Sequence, residues 1–186
     1  TAVWALDLEY PTVVEASSTP LNEETTPIAA TYHYVFPARG DRPPVELFWY
    51  DGGLRPPRPA CLEPDRELPA EGGSLIVGDE GAILSGVWSG TPRIIPEEKM
   101  RRYAPPTPTI ARSRGHHRDW IDACKGGPAA SANFEYAARL TEIVLLGTVA
   151  LRAGTSLQWN GPDMKAANAP ETEPLIRGHF RKGWEM

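Results

Sequence analysis

The 186-residue sequence has none of the short motifs by which the commoner enzyme classes are recognised. Neither GxGxxG nor GxxxxGK[ST] occurs, so no phosphate cradle for a dinucleotide or a nucleotide is visible. GxSxG and HExxH are missing too, which removes the nucleophile elbow of the α/β-hydrolases and the zinc-binding helix of metalloproteases. An enzyme built from this chain alone would therefore need an uncommon site.

Cysteine is scarce, and the sequence has neither long apolar runs nor an excess of positive charge. Cys61 and Cys124 form no CxxC pattern, so neither a zinc site nor a disulfide framework is indicated, although a bond between the two stays open. No apolar run approaches the roughly 18 residues that cross a bilayer. A net charge of −5 argues against nucleic acid or a membrane surface as the partner.

The chain also lacks an initial Met and a signal-like segment. Residues 1–9 resemble the last turns of a helix, which predicts a fragment of a longer protein and leaves the compartment open between cytoplasm and export. Apolar residues, at 41%, and proline, with 20 residues, are plentiful. We therefore expect one domain over residues 1–186, with a sizeable core, stiff surface connections and an irregular tail over 161–186.

The strongest local signal predicts a helix over residues 134–153. Asn133 or Ser131 is placed to cap it, and Gly154 supplies the left-handed stop. Apolar residues point in nearly every direction around this helix, which predicts burial on more than one side. Gly147 costs roughly 1 kcal/mol of helix propensity relative to Ala, so we expect a close backbone neighbour at that position.

Alternating and β-branched segments predict strands, most of them joined as antiparallel neighbours. The predicted strands span 12–19, 28–36, 45–51, a hairpin of 74–77 with 82–84, 91–95 and 156–159. The strand 45–51 carries large apolar groups on both faces, so we expect it in the centre of a covered sheet. With a short amphipathic helix over 116–125, the pattern predicts an α+β fold: an open, largely antiparallel sheet with helices packed on one face.

A first candidate site lies where the strand 45–51 ends. Tyr50, Asp51, Arg55 and Arg58 offer a phenol, a carboxylate and two cations, which suit a polyhydroxylated ligand. The alternative is that Asp51 shapes the turn while the arginines are solvated.

Two other features are candidates for substrate contact. His116, at the start of the helix 116–125, either faces a substrate or bonds to backbone; its neighbour His117 points about 100° away, which makes the pair a poor metal clamp. Tyr32, Tyr34 and Trp49 either form an aromatic platform for a sugar or belong to the core.

The stretch GHHRDWIDACKGGPAASANFEYAARLTEIVLLGTVALRAGTSLQWNG from Gly115, followed by NAPE and RKGWEM, resembles a known family. It is similar to the C-terminal domain of the glucose–fructose oxidoreductase, inositol dehydrogenase and MocA (Gfo/Idh/MocA) family, in a bacterial subgroup. FWYDGGLRPPRP and GSLIVGDEGAILSG resemble the same subgroup, so the likeness spans nearly the whole chain. That family joins a Rossmann domain to an α+β domain, whose sheet carries substrate contacts on its helix side and often an oligomer interface on its other face.

The resemblance implies the substrate-binding and oligomerisation half of an NAD(P)-dependent oxidoreductase acting on a sugar or polyol hydroxyl. Its partners would be its own Rossmann domain, a small sugar or polyol, and further copies through the sheet. The family's catalytic lysine, its acid/base Asp and His and its NAD or NADP site have no counterpart here. The resemblance places them upstream of Thr1, so this fragment would hold no cofactor or metal and would be inactive alone. The alternative is a non-catalytic carbohydrate-binding or self-assembly module.

Overall fold

The computed structural model describes residues 1–185. Within the single domain predicted from the sequence, the chain forms two compact units. Residues 1–7 and 57–136 form one of them, the small-sheet unit. Residues 8–56 and the described part of 137–186 form the other, the large-sheet unit.

The large-sheet unit is built on a five-stranded, open, antiparallel sheet in the order β3-β2-β1-β7-β8. Its strands are β1 (Val13–Ser18), β2 (Ala30–Phe36), β3 (Val45–Tyr50), β7 (Leu157–Asn160) and β8 (Lys165–Ala166). This sheet and the helix packed against it confirm the predicted α+β fold.

One face of the large sheet is buried and carries a helix. Its buried side chains are contributed by three adjacent strands and include Val14, Tyr34, Phe36, Leu157 and Trp159. Because successive side chains of a strand point to opposite faces, the residues between them form a second face, which we call the open face. The helix-bearing face holds the core of this unit.

Helix α4 (Phe134–Ala153) has the predicted bounds. The Asn133 side-chain oxygen accepts a hydrogen bond from the backbone N–H of Tyr136 at 3.1 Å, as an N-cap does, and Gly154 ends the helix at a φ of +65°. The prediction of burial on several sides is wrong, since Val144 and Leu145 are exposed. Only one side of α4 packs on the sheet. The helix is therefore less buried than its apolar composition predicts.

Strand β3 lies at an edge of the sheet, and the prediction of a central, covered strand is wrong. It pairs only with β2, and Phe48 and Trp49, on opposite faces, are 50% and 59% exposed. The large apolar side chains on the two faces of β3 are therefore not buried by other elements. They lie on the accessible surface.

The small-sheet unit contains three antiparallel strands, β4 (Ser74–Gly78), β5 (Gly81–Ser85) and β6 (Arg93–Ile95). The predicted hairpin and the short strand after it are thereby confirmed. A small core forms on them from Leu62, Ala82, Leu84 and Ile95.

The remaining helices are short. In chain order they are α1 (Ala2–Ala5), α2 (Glu97–Arg102), α3 (His116–Cys124) and α5 (Glu173–Ile176), with 3₁₀ turns at Val87–Ser89 and Pro170–Thr172. The predicted helix 116–125 thus forms, but its apolar side is not covered: Trp120 is 61% exposed. Cys61 and Cys124 have free thiols.

Candidate functional site

The turn after β3 places a carboxylate at the end of the helix-bearing face. The Asp51 backbone N–H donates to the Ala30 carbonyl at 2.9 Å, which extends the β2–β3 ladder by one residue. The Asp51 carboxylate accepts the Gly52 N–H at 2.8 Å. Gly52 has a φ of +67°, and a Cβ there would collide with the backbone of Ile28. The turn is therefore fixed by Asp51 together with a glycine that no other residue replaces without strain.

Two aromatic side chains flank this turn. Tyr32 of β2 and Trp49 of β3 are direct cross-strand partners on the helix-bearing face, where such partners lie about 5 Å apart between Cβ atoms. Tyr32 is half-buried and Trp49 is mostly exposed. We call Tyr32, Trp49 and Asp51 the aromatic patch. It combines an accessible indole, a phenol and a carboxylate in one place.

The electrostatics link two members of the patch. Burial raises the pKa of the Tyr32 phenol above its ordinary value of 10.0, and the negative charge of Asp51 raises it further. Tyr32 is therefore a neutral phenol at physiological pH, able both to donate and to accept a hydrogen bond. Asp51, as a carboxylate, accepts only.

Tyr34 belongs to the core rather than to a platform. It is 5% exposed, and its phenol oxygen lies against the α4 backbone at Gly147. Burial raises its pKa well above 10.0, the negative charge that Tyr32 acquires on ionisation raises it further, and a hydrogen bond with the Gly147 backbone opposes the shift. Of the three aromatics considered from the sequence, Tyr32 and Trp49 are left to meet a ligand.

The open face carries a group of ionisable side chains that the sequence did not predict. Glu15 of β1 lies directly opposite His33 of β2, and Glu46 of β3, which pairs with Val35, lies diagonal to His33. His33 Nδ1 is 3.1 Å from a Glu15 carboxylate oxygen, and His33 Nε2 is 3.0 Å from one of Glu46. The imidazole also stacks on Phe48, with ring centres 4.3 Å apart and planes within 3°. We call Glu15, His33 and Glu46 the His33 row.

The other residues proposed around strand 45–51 are separated by the pleat or the turn. Tyr50 pairs with Thr31, on the open face, and so does not share a face with Trp49. Arg55 is exposed in the loop that follows. Asp51 alone of this group joins the aromatic patch, and the ligand role of the set stays a prediction.

Arg58 is exposed and at the same time organises its own loop. Its guanidinium donates to the backbone carbonyls of Arg66, at 2.9 Å, and of Glu63 and Pro64. Arg66 in turn donates to the carboxylates of Glu63 and Glu97 at 2.8 and 2.7 Å. Charged side chains thus hold the segment between β3 and β4 in place.

His116 is the first residue of α3 and is exposed. Its ring meets that of His117 edge to face, with centres 5.6 Å apart, and both rings are accessible. His116 belongs to the small-sheet unit, whereas Tyr50, Asp51 and Arg55 belong to the large-sheet unit. A substrate-facing role for His116 stays a prediction.

Neither a metal-binding cluster nor a membrane-spanning helix is found in the part of the chain that the structure describes. Over residues 1–185, no three or more His, Cys, Asp and Glu side chains are grouped so as to hold a metal ion. In the same part of the chain, no helix has the length and apolar content of a membrane span.

No protein-family model matches the chain, and no curated protein matches it either.

Proposed function

We propose that this chain is the substrate-binding and oligomerisation half of an NAD(P)-dependent oxidoreductase acting on a hydroxyl group of a sugar or polyol. The aromatic patch carries the proposal, because it sets an accessible indole beside a carboxylate and a neutral phenol on the helix side of an open sheet. The resemblance to the Gfo/Idh/MocA family supports the same reading. The fragment by itself would be inactive.

The three side chains suit a polyhydroxylated ring in complementary ways. The negative face of the Trp49 indole attracts the C–H groups on one side of a sugar, which carry slight positive charge. Asp51 accepts hydrogen bonds from hydroxyl groups, and a charged acceptor forms stronger bonds than a neutral one. Tyr32 both donates to and accepts from hydroxyl groups. Together they would fix which face and which edge of the ring points away from the sheet.

The proposed whole enzyme divides the chemistry between its halves. An NAD or NADP bound by a Rossmann half would accept or supply the hydride. This chain's residues would bind and orient the substrate hydroxyl for it, with His116, Arg55 and Tyr50 as further candidate contacts. The alternative, a non-catalytic carbohydrate-binding module, would use the same patch without a second half.

Sugar titration of the chain tests the patch. We expect D-glucose or sorbitol to shift the NMR signals of the Trp49 indole with a Kd of about 1 mM or weaker, since half a cleft holds few contacts. Asp51→Asn should abolish the shifts. Trp88→Ala, at a fully exposed tryptophan of the small-sheet unit, should leave them unchanged.

The outcomes separate the two readings. If neither sugar shifts the NMR signals near Trp49 even at molar concentration, the aromatic patch is not a carbohydrate site. Saturation in the micromolar range would favour the non-catalytic module, because a complete site would then reside in this chain alone.

The open face favours self-association as the second part of the proposed function. Phe48 is half exposed on its edge strand, and on the same face Glu15 and Glu46 lie against the two ring nitrogens of His33. In the family that the sequence resembles, this face of the sheet often forms the oligomer interface. The occupant that we propose for it is therefore another copy of this chain.

A further inference from the structure

We propose that two copies of this chain pair antiparallel through the free edge of β3, so that their large sheets join into one continuous sheet about a twofold axis. The surface concerned is the edge of the strand, whereas the self-association described under the proposed function uses the open face. The two can therefore hold or fail independently. Unpaired backbone groups of β3, and the symmetry of their arrangement, favour the edge pairing.

The backbone hydrogen bonds of β3 alternate in direction along the strand. In an antiparallel pair, every second residue turns its N–H and C=O toward the neighbouring strand, and the residues between turn theirs away. The Asp51 N–H donates to the Ala30 carbonyl at 2.9 Å, in register with the β2–β3 pairs. The odd-numbered residues of 45–51 therefore bond to β2. The residues that present their backbone groups at the free edge are Glu46, Phe48 and Tyr50.

This edge is long and unprotected. Within residues 1–185, the N–H and C=O groups of these three residues form no backbone hydrogen bond. Proteins usually protect an edge by a short strand, lysine, proline or a bulge, because unpaired groups there can pair with another strand. β3 has six residues in unbroken register with β2 and contains neither lysine nor proline. The other edge strand, β8, has only two residues, one of them Lys165, so β3 is the edge available for pairing.

One register makes the free edge complementary to itself. A twofold axis perpendicular to the sheet keeps each face on the same side, so residues that lie opposite differ by an even number of positions. With Phe48 at the axis, Phe48 meets Phe48 of the second copy, and Glu46 meets Tyr50 of the second copy. Each of these pairs exchanges both of its N–H···O bonds, which satisfies every free backbone group of the edge. A shift of two residues would leave one of the three residues in each copy unpaired.

The same register separates the charges of β3. Glu46 is the one charged residue of the strand, and it lies opposite the Tyr50 phenol of the second copy. The two Glu46 carboxylates are then four residues apart along the strands, more than about 13 Å, beyond the screening length of about 8 Å at physiological ionic strength. Repulsion between them is therefore weak.

The pairing also brings a second copy to the aromatic patch. On the helix-bearing face, Trp49 would lie opposite Leu47 of the second copy, about 5 Å away between Cβ atoms, and the two Trp49 residues would be diagonal neighbours about 7–8 Å apart. Leu47 of the second copy thus adds an apolar neighbour to the exposed indole, and the two aromatic patches form one surface.

Charge exchange at position 48 tests the pairing, because Phe48 is the one edge residue placed opposite its own copy. The wild-type chain should be dimeric in sedimentation equilibrium at about 1 mM. Phe48→Lys and Phe48→Glu should each be monomeric, since like charges would then lie directly opposite one another. An equimolar mixture of these two variants should be dimeric again. Phe48→Leu, which keeps the position apolar, should behave like the wild type.

Amide hydrogen exchange measured by NMR separates edge pairing from packing of the open faces. The amides of Glu46, Phe48 and Tyr50 should exchange slowly in the dimer and fast in Phe48→Lys. The Leu47 amide, which bonds to β2, should stay protected in both and so shows that β3 remains folded. Ser17→Lys places a charge on the open face of β1, two strands from the edge, and should leave the dimer and its exchange pattern unchanged.

The results distinguish the two surfaces. If the chain is dimeric, the edge amides exchange fast and Ser17→Lys abolishes the dimer, then the open face forms the assembly and the edge pairing is overturned. A wild-type chain that is monomeric at about 1 mM, or a mixture of the two charged variants that stays monomeric, overturns the edge pairing as well. Slow edge amides in a dimer that tolerates Ser17→Lys would support it.

Discussion

Gly147 shows how far a single residue can be interpreted from sequence. A glycine in the middle of a strongly apolar helix predicts a close backbone neighbour, because alanine would otherwise be favoured there. The neighbours are close, but they are side chains: a Cβ built at Gly147 would lie 2.5 Å from Tyr32 Cδ1 and 2.5 Å from the Tyr34 phenol oxygen. The sequence predicted tight packing at this position but assigned it wrongly to a backbone.

Gly147→Ala should destabilise the chain by about 1–3 kcal/mol, because the added methyl group pushes α4 away from two aromatic rings. Tyr34 is buried and has no room to move aside. Urea unfolding followed by circular dichroism measures the change. Gly178→Ala is the control, since nothing lies within 4 Å of a Cβ at that position. Equal urea midpoints for the two variants would contradict the close packing of α4.

Helix α3 is fixed by its polar side rather than by its apolar one. Ser113 donates its hydroxyl to the Asp119 carboxylate at 2.6 Å, and Ser131 donates to the same carboxylate at 3.3 Å. The backbone N–H of Arg114 adds a third bond. Asp119 therefore connects the proline-rich segment before α3 with the loop that follows it, while Trp120 stays in solvent.

Asp119→Ala should loosen α3 without unfolding the chain, because three hydrogen bonds to one carboxylate are lost from an exposed element. Backbone amides of α3 should exchange with deuterium faster, as measured by NMR. Asp79→Ala, in the β4–β5 turn, should leave the α3 amides unchanged. Unaltered exchange in Asp119→Ala would show that other contacts fix the helix.

Because the Asp119 carboxylate helps to hold α3 in place, we expect α3 to lose order at low pH. The Ser113 hydroxyl first, and then the N–H of Arg114, the Ser131 hydroxyl and the Arg114 charge, hold the Asp119 pKa below its ordinary value of 3.8. A lowered pKa stabilises the folded state above the ordinary value, and that contribution is lost as the pH falls through the lowered one. We therefore expect acid to reduce the order of α3 in the wild-type chain. The Asp119→Asn variant should show no such reduction, because an amide does not titrate.

Strand β3 marks the limit of pattern reasoning for an element. Its alternation correctly predicted a strand and its two faces. The number of neighbouring strands that β3 has depends on the order of strands in the sheet. Nothing within residues 45–51 encodes that order. The edge position leaves Trp49 and Phe48 accessible, one on each face, and both proposed surfaces of the large-sheet unit depend on this.

For the chain as a whole, dinucleotide binding separates the proposed half-enzyme from a self-sufficient one. We expect no saturable binding of NADH up to concentrations of about 1 mM, because the sequence offers no glycine-rich phosphate cradle. Energy transfer from the six tryptophans to the nicotinamide measures it, with free tryptophan at equal absorbance as the correction for light absorbed by NADH. Tight, saturable transfer would mean that the chain contains its own dinucleotide site.

Local signals in the sequence determined the elements of this protein. The bounds of α4, its cap at Asn133, its stop at Gly154 and the β4–β5 hairpin follow from propensity, capping and turn chemistry within a few residues. The α+β class follows from their order. These features were predictable because each depends on neighbours along the chain.

Tertiary structure alone decided which side chains meet. Alternation assigned Glu15, His33 and Glu46 each to a face of its strand, but only the β1–β2–β3 register set Glu15 opposite His33 and Glu46 diagonal to it. The same register set Tyr32 beside Trp49. A slip of one residue would exchange the faces and abolish both arrangements. Register depends on the burial of the whole sheet against α4, an energy spread over contacts far apart in sequence, and so no single segment of the chain contains it.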